Sequence, residues 1–285
     1  MDDGFALGTI AALSWGFADV LVTYLSRRAG FLRTLLVAHA FGVAVLVVVA
    51  MGVSDLPGLS AAQLLALAGL GPVALIAYAG FYRALELGPI AIVSPIASAN
   101  GVIVVLLAVL ILGESLTGLQ ALGVLLVLGF IALAAFEPES GSAEEAGGSG
   151  IPLALVASGA FGAYLFSLAA ISEDLGWLLP ILVTRAAMVA IVAAVAARRL
   201  PPRAGPLGRM WVLGCLAAGA LDATGYLAFN RGGEIGEVAI TSAAAASYPV
   251  IPILVGLVAL RERVAWHQLV GVAGVLGGMV VLSLG

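Results

Sequence analysis

The sequence has little of what a water-facing protein needs. Charged side chains make up 10% of its 285 residues, against about 25% in a soluble domain, while apolar side chains reach 62%. Mean hydropathy is +1.18. A chain so poor in charge cannot cover a globular surface with water-compatible groups, so most of its exterior must face hydrocarbon. Lysine is absent: the 12 basic residues are all arginine, against 16 acidic ones, for a net charge of −4. No basic face awaits phosphates, and no nucleic-acid partner is expected. The single Cys215 permits no internal disulfide, and no histidine spacing suits zinc. No cofactor or metal is expected, and the chain does not read as an enzyme. An intramembrane enzyme would need apposed catalytic aspartates in a recognisable motif, or Ser and His at one depth, and the sequence offers neither.

What the chain does have is long apolar runs. Crossing about 30 Å of hydrocarbon takes about 20 apolar residues as a helix, and lipid leaves the backbone no partners other than its own. Ten such runs are legible: 5–26, 32–52, 61–82, 91–112, 118–136, 151–172, 178–197, 209–229, 238–260 and 266–284. They are continuous rather than alternating, so they predict helices. The first begins Met1-Asp2-Asp3 without a basic leader and is longer than a signal core, so it reads as a retained span. The segment 137–150 is acidic, rich in Gly and Ser and without apolar content, and predicts a solvated linker. It divides the chain into residues 1–136, a first five-helix unit, and residues 151–285, a second.

The two units share a pattern. At an offset of 148, Tyr78, Phe81, Arg83, Glu86 and Gly88 meet Tyr226, Phe229, Arg231, Glu234 and Gly236. Ser94 meets Ser242, Glu114 meets Glu262 and Gln120 meets Gln268 in the same register. Toward the start of each unit the offset drifts to 146, where Trp15-Gly16 faces Phe161-Gly162 and Gly30 faces Gly176. A fixed-period match of this kind marks a duplicated unit. Five spans per unit is odd, so the second copy enters the membrane upside down. The expectation is an all-α membrane protein of two inverted five-helix repeats, the architecture of transporters that alternate access around a midplane site.

Trp15-Gly16, the segment FYRALELGPIAIVSPI with LAVLILGESLTGLQALGVLLVLG, and the second-copy segment YLAFNRGGEIGEVAITSAAAASYPVIPILVGLVALRERVAWHQLVGVAGVLGG resemble the EamA-type branch of the drug/metabolite transporter superfamily. The resemblance covers nearly the whole chain outside the linker. It implies a multi-pass secondary transporter. With the mixed-charge residues described below, export of amino acids or related small metabolites across the cell inner membrane is the leading expectation, and proton-coupled efflux of cationic toxic compounds through Asp19 or Asp222 is the alternative. One departure is visible: Arg261-Glu262-Arg263 stands where the family usually has Gly-Glu-x, as in Gly113-Glu114-Ser115. The connectors after odd-numbered spans carry ten arginines and the other face carries Arg231 alone. By the positive-inside rule this puts both termini outside, whereas the resemblance implies cytoplasmic termini.

Polar groups at membrane depth need a reason, since an ionisable side chain there costs about 2.5–3.5 kcal/mol. Asp19, His39, Arg185 and Asp222 qualify. Counting rise per residue puts Asp19 and Asp222 near the midplane, Arg185 about 10 Å nearer the face where the termini emerge, and His39 toward the other face. Helical spacing groups Trp15 with Asp19, and Asp222 with Tyr226 and Asn230. Tyr78, Tyr82, Ser98, Tyr164 and Tyr248 add aromatic walls and hydroxyls. Together they predict a polar chamber for a small zwitterion or cation, with a carboxylate drawing an ammonium group and Arg185 clamping a carboxylate. Equally, Asp19 or Asp222 pairs with Arg185 to neutralise buried charge, or takes up a proton and couples transport to a gradient. His39 reads as a packing group rather than a relay. Tyr24, Trp177, Trp211 and Trp266, near span ends, read as interface anchors. Glu114 and Glu262 read as braces for a neighbouring helix terminus. Pro95, Pro249 and Pro252 predict kinks in the fourth and ninth spans that serve as gates. Gly274 and Gly278 predict close packing of the last span on the fifth, or on a second copy in a homodimer. A small-molecule solute and the lipid bilayer are the remaining partners.

Overall fold

A computed structural model describes residues 3–54, 56–113, 115–136, 150–172, 175–199, 208–235, 241, 244–245 and 247–283. Eight helices are long and apolar enough to span a membrane. They are α1 Asp3–Ala29, α2 Phe31–Met51, α3 Ala61–Leu87, α4 Ile90–Ile111, α5 Gly118–Ala135, α6 Ile151–Ser172, α7 Leu179–Arg199 and α8 Arg209–Ile235. Two shorter apolar helices, α9 Val250–Ala259 and α10 Trp266–Leu282, bring the helices to ten, and no strand occurs among the described residues. Apart from Gly150 the expected linker lies outside the described residues, as do Glu114, Ser242 and most of the first half of the ninth span.

Helix ends follow from local chemistry that both repeats use. α5 starts at a capping box: Gln120 N–H donates to Thr117 Oγ1 at 3.1 Å, and Thr117 N–H donates to Gln120 Oε1 at 2.9 Å. In α10 the matching Gln268 accepts from Ala265 N–H at 3.1 Å. The shared glutamine is therefore a helix-start device. α3 runs on to Leu87, beyond the 82 expected, and is interrupted at Leu70, where Gly71-Pro72 begins a new helical segment. α4 ends in a π turn, Ala108–Leu112, and α9 in another, Val255–Ala259. Gly113 then turns left-handed at φ +71°, and its register mate Arg261 does so at φ +52°. Arg261 is the one positive-φ residue other than glycine among the described residues. A left-handed conformation costs a side chain about 1–2 kcal/mol, so the departure from Gly in the second copy carries a strain that the first copy avoids.

The duplication is visible in three dimensions as reciprocal contacts. A Cβ on Gly123 would meet Leu282, and a Cβ on its mate Gly271 would meet Ala134, which is the mate of Leu282. Gly274 lies on Phe130, and Gly278, the mate of Phe130, lies on Leu126 and Val127. Along this seam the partner's number falls as the helix's own number rises, so α5 and α10 are antiparallel. A two-fold axis relating antiparallel neighbours runs across the helices, in the membrane plane. The fold is thus two inverted five-helix repeats. Gly274 and Gly278 spend their closeness on α5 within the chain.

The Trp-Gly and Phe-Gly pairs are explained by the same symmetry. Gly16 lets α1 approach the α9 start, where a Cβ would fall 2.9 Å from Tyr248 O and 2.8 Å from Ile251. Gly162 lets α6 approach α4, where a Cβ would fall 2.8 Å from Asn100 O and 2.4 Å from Ile103. Asn100 and Ile103 are the register mates of Tyr248 and Ile251.

Candidate functional site

Residues that touch their own repeat mates mark where the two-fold axis passes, and here those residues are polar. Tyr78 of α3 donates to Tyr226 of α8 at 2.8 Å, hydroxyl to hydroxyl, across 148 positions. His39 of α2 meets Arg185 of α7 across 146 positions, Nδ1 to Nη1 at 2.6 Å. Arg185 can only donate, so His39 Nδ1 accepts and the imidazole is neutral with its proton on Nε2. The same Nη1 pairs with Asp222 Oδ2 at 2.6 Å, and Nη2 donates to the Tyr78 hydroxyl. The guanidinium lies between the mated tyrosines, 4.4 Å from the Tyr78 ring centroid and 4.6 Å from that of Tyr226. Lone membrane charges cost about 2.5–3.5 kcal/mol each. Direct pairing of Arg185 with Asp222 and the aromatic faces on both sides offset that cost.

An aromatic frame surrounds this axis and repeats in both halves. Trp15 packs edge-on to Tyr226 at 5.0 Å, and Phe161 packs edge-on to Tyr78 at 4.8 Å. Trp15 also meets Phe229 at 5.6 Å, and Phe161 meets Phe81 at 6.1 Å. Tyr82 closes one side over His39 at 5.5 Å, and Tyr248 closes another against Trp15 at 6.0 Å.

Asp19 sits apart from the axial pair. It is 8% exposed, and its Oδ2 accepts from Ser94 Oγ of α4 at 2.6 Å. No arginine or histidine lies within ion-pair distance of it among the described residues.

The space beside the axial pair is small. Arg185, Asp222 and Tyr226, with Gly42, Leu46 and Ile181, line a space with room for about one water molecule. The long arginine side chain fills the volume between the aspartate and the tyrosines. Three buried N–H groups of this region find no hydrogen-bond partner among the described residues: Trp15 Nε1, His39 Nε2 and Arg185 Nε. Tyr164, fully buried, stands beside Arg185 with its hydroxyl toward the guanidinium. Buried polar groups are ordinarily paired, and these three N–H groups retain hydrogen-bonding capacity that the described residues do not use.

Several expectations change with the coordinates. Arg185 and His39 were placed at different depths by counting rise, yet they are in contact, because a long side chain on one helix reaches a mate that the axis brings to the same level. His39 is consequently part of the polar centre and not a packing group alone. Asn230 is drawn away from it, donating to Trp177 O at 2.9 Å. Ser98 Oγ is committed to Pro95 O at 2.8 Å. Trp211 is buried and donates to Leu25 O at 3.3 Å, so it ties α8 to α1 and does not anchor an interface. Tyr24 and Trp266 are exposed. Pro95 lies inside a continuous helical segment, and α4 breaks one turn later at Ala99. Pro249 precedes the helix Val250–Leu254, which contains Pro252.

One end of the centre is fastened. Glu262 Oε1 and Oε2 accept from the Ile90 and Ala91 amides at 3.0 and 3.1 Å, capping α4. Arg27 Nη2 pairs with Glu262 at 2.9 Å and donates to Gly88 O at 2.6 Å, while its Nε donates to Leu85 O at 3.1 Å. Glu262 is therefore a brace, as expected. The register mate of Arg27 is Glu173, so this ion pair has no counterpart in sequence at the other end.

Comparison with known proteins follows the same division of the chain. One solved crystal structure aligns with 99% of this chain and 96% of its own, at a TM-score of 0.65 and 21% identity, a likeness of fold. No curated protein matches. The EamA-like transporter family profile matches twice, over residues 3–136 and 148–284. A multi-pass membrane protein of ten helices, matched once in each inverted half, the chain belongs to the EamA-like transporter family.

Proposed function

We propose that the protein exports an amino acid or a related small metabolite across the cell inner membrane by alternating access around the axial centre. The observation that supports this reading is the buried Arg185 with an unused Nε–H, the Tyr164 hydroxyl beside it. Arg185 Nε and the Tyr164 hydroxyl suit a carboxylate, and the aspartates and aromatic faces suit an ammonium group a few ångströms away. A solute larger than water requires the repeats to part, and the breaks at Ala99 and before Val250 in the mated helices α4 and α9 supply places to bend. No ATP-binding motif is present in the sequence, so uphill transport would draw on an ion or solute gradient.

A second reading, proton-coupled efflux of cationic compounds, is favoured by one observation: Asp19 has no basic partner among the described residues. The test begins with a thermal-shift screen of the purified chain against the amino acids and small alkylamines. Labelled flux in proteoliposomes follows for whichever compounds stabilise it. The expected result is flux of a carboxylate-bearing solute, lowered about tenfold by Tyr164→Phe, which removes one oxygen and keeps the ring packing. Flux confined to amines and indifferent to Tyr164→Phe would select the second reading, and no flux of any stabilising compound would refute both.

A further inference from the structure

We infer that Asp19 and Ser94 form a site for one monovalent positive charge, either a proton or the ammonium group of an organic amine. This deepens the transport reading by naming which of the two aspartates takes the positive end.

Charge accounting leads to it. Among the described residues at membrane depth the ionisable groups are Asp19, His39, Arg185 and Asp222. Arg185 and Asp222 cancel each other in direct contact, and His39, accepting from Arg185, is neutral. One carboxylate remains. Asp19 is held by a neutral hydroxyl donor, Ser94 Oγ at 2.6 Å, so the centre carries one uncompensated negative charge unless a cation or proton joins it. The position is not part of the symmetric frame: its register mate is Leu165. A residue that breaks symmetry at such a cost is better explained by a ligand than by packing.

The surroundings fit the same charge. Trp15 lies one helical turn from Asp19, and its ring is in contact with Tyr226 and Tyr248, whose faces favour an alkylammonium group. The groups that face Asp19 are Ser94 from α4, Tyr82 from α3, Asp222 from α8 and Tyr248 from the start of α9. Arg185 and His39 stand behind Asp222 and are already committed to each other. When an amine cation binds, the carboxylic proton leaves for the aqueous phase on the side to which the site opens. One positive charge enters as one departs, and no redox step is involved.

The test uses the purified full chain in nanodiscs and infrared difference spectra of the carboxylic-acid band as pH is stepped. Proton release on adding ethylammonium or tetramethylammonium is recorded in parallel, with propionate as control. The expected result is one component of that band, over and above the carboxyls common to all variants, that persists in Asp222→Asn and is missing from Asp19→Asn. Ser94→Ala, which leaves the charge in place, changes its proton affinity about tenfold. Proton release by the alkylammonium ions but not by propionate identifies an amine-exchanging site; titration without such release identifies a proton site. Identical titrations of the band in wild type and Asp19→Asn overturn the inference. Neither readout requires flux. A titrating Asp19 without transport would therefore fail the transport reading alone, and transport without that component would fail this site alone.

Discussion

The two halves of the molecule agree in their packing and disagree in their charges. Trp15, Gly16, Tyr226 and Phe229 are matched contact for contact by Phe161, Gly162, Tyr78 and Phe81. Against that frame, Asp19 answers to Leu165, Asp222 to Ala74, His39 to Arg185 and Arg27 to Glu173. Close packing tolerates little, because adding one methyl where backbones touch forces a shift. On the proposed alternating-access reading, a frame that must look alike when either half takes the outward role is therefore held to its symmetry. On the same reading the charges would meet a solute and water on one side at a time, so they are free to differ. The difference separates what lets the halves exchange roles from what they act upon.

The comparison can be broken hardest at the axis. Arg185→Ala leaves Asp222 buried without its partner and should cost about 3–5 kcal/mol of stability and all measurable flux. Arg185→Ala combined with Asp222→Asn should regain most of the stability and none of the flux, measured by unfolding in detergent beside proteoliposome assays. Additive losses would mean that the pair is not coupled. Next in size, Leu165→Asp would impose on the second half the charge that the first half carries, at about 2.5–3.5 kcal/mol. Gly16→Ala and Gly162→Ala sharpen the frame instead: each pushes a methyl against a mated backbone carbonyl, and each should cost about 1–3 kcal/mol. A large loss in one and none in the other would show that the frame is not shared. The smallest effect is at the strained turn, where Arg261→Gly should stabilise by about 1 kcal/mol, read as a rise in unfolding temperature, while Gly113→Arg should lose a similar amount.

Much of this was legible in the sequence, for reasons particular to a membrane. Hydrocarbon forces each span to declare itself as an apolar run, and duplication leaves Gln120 and Gln268 or Tyr78 and Tyr226 in one register. The family resemblance followed from the same residues. What the register did not reveal is that mates can touch. Tyr78 with Tyr226 and His39 with Arg185 meet only because the axis passes between them, and a count of rise along separate helices cannot locate an axis. Side-chain reach was the second omission: it brings Arg185 to Asp222 and His39, leaving room for about one water molecule beside them. Local backbone bonding was the third: it turns the Asn230 amide toward Trp177 O and the Ser98 hydroxyl toward Pro95 O.

The inverted arrangement itself is open to a direct measurement. Ser115 and Arg263 are register mates, both exposed and both in the connector that follows a π turn. Each is replaced singly by cysteine in a Cys215→Ser background and treated with a membrane-impermeant maleimide in sealed vesicles of known sidedness. The two cysteines should react from opposite faces of the membrane; reaction of both from the same face would contradict the inverted repeat and everything built on its axis.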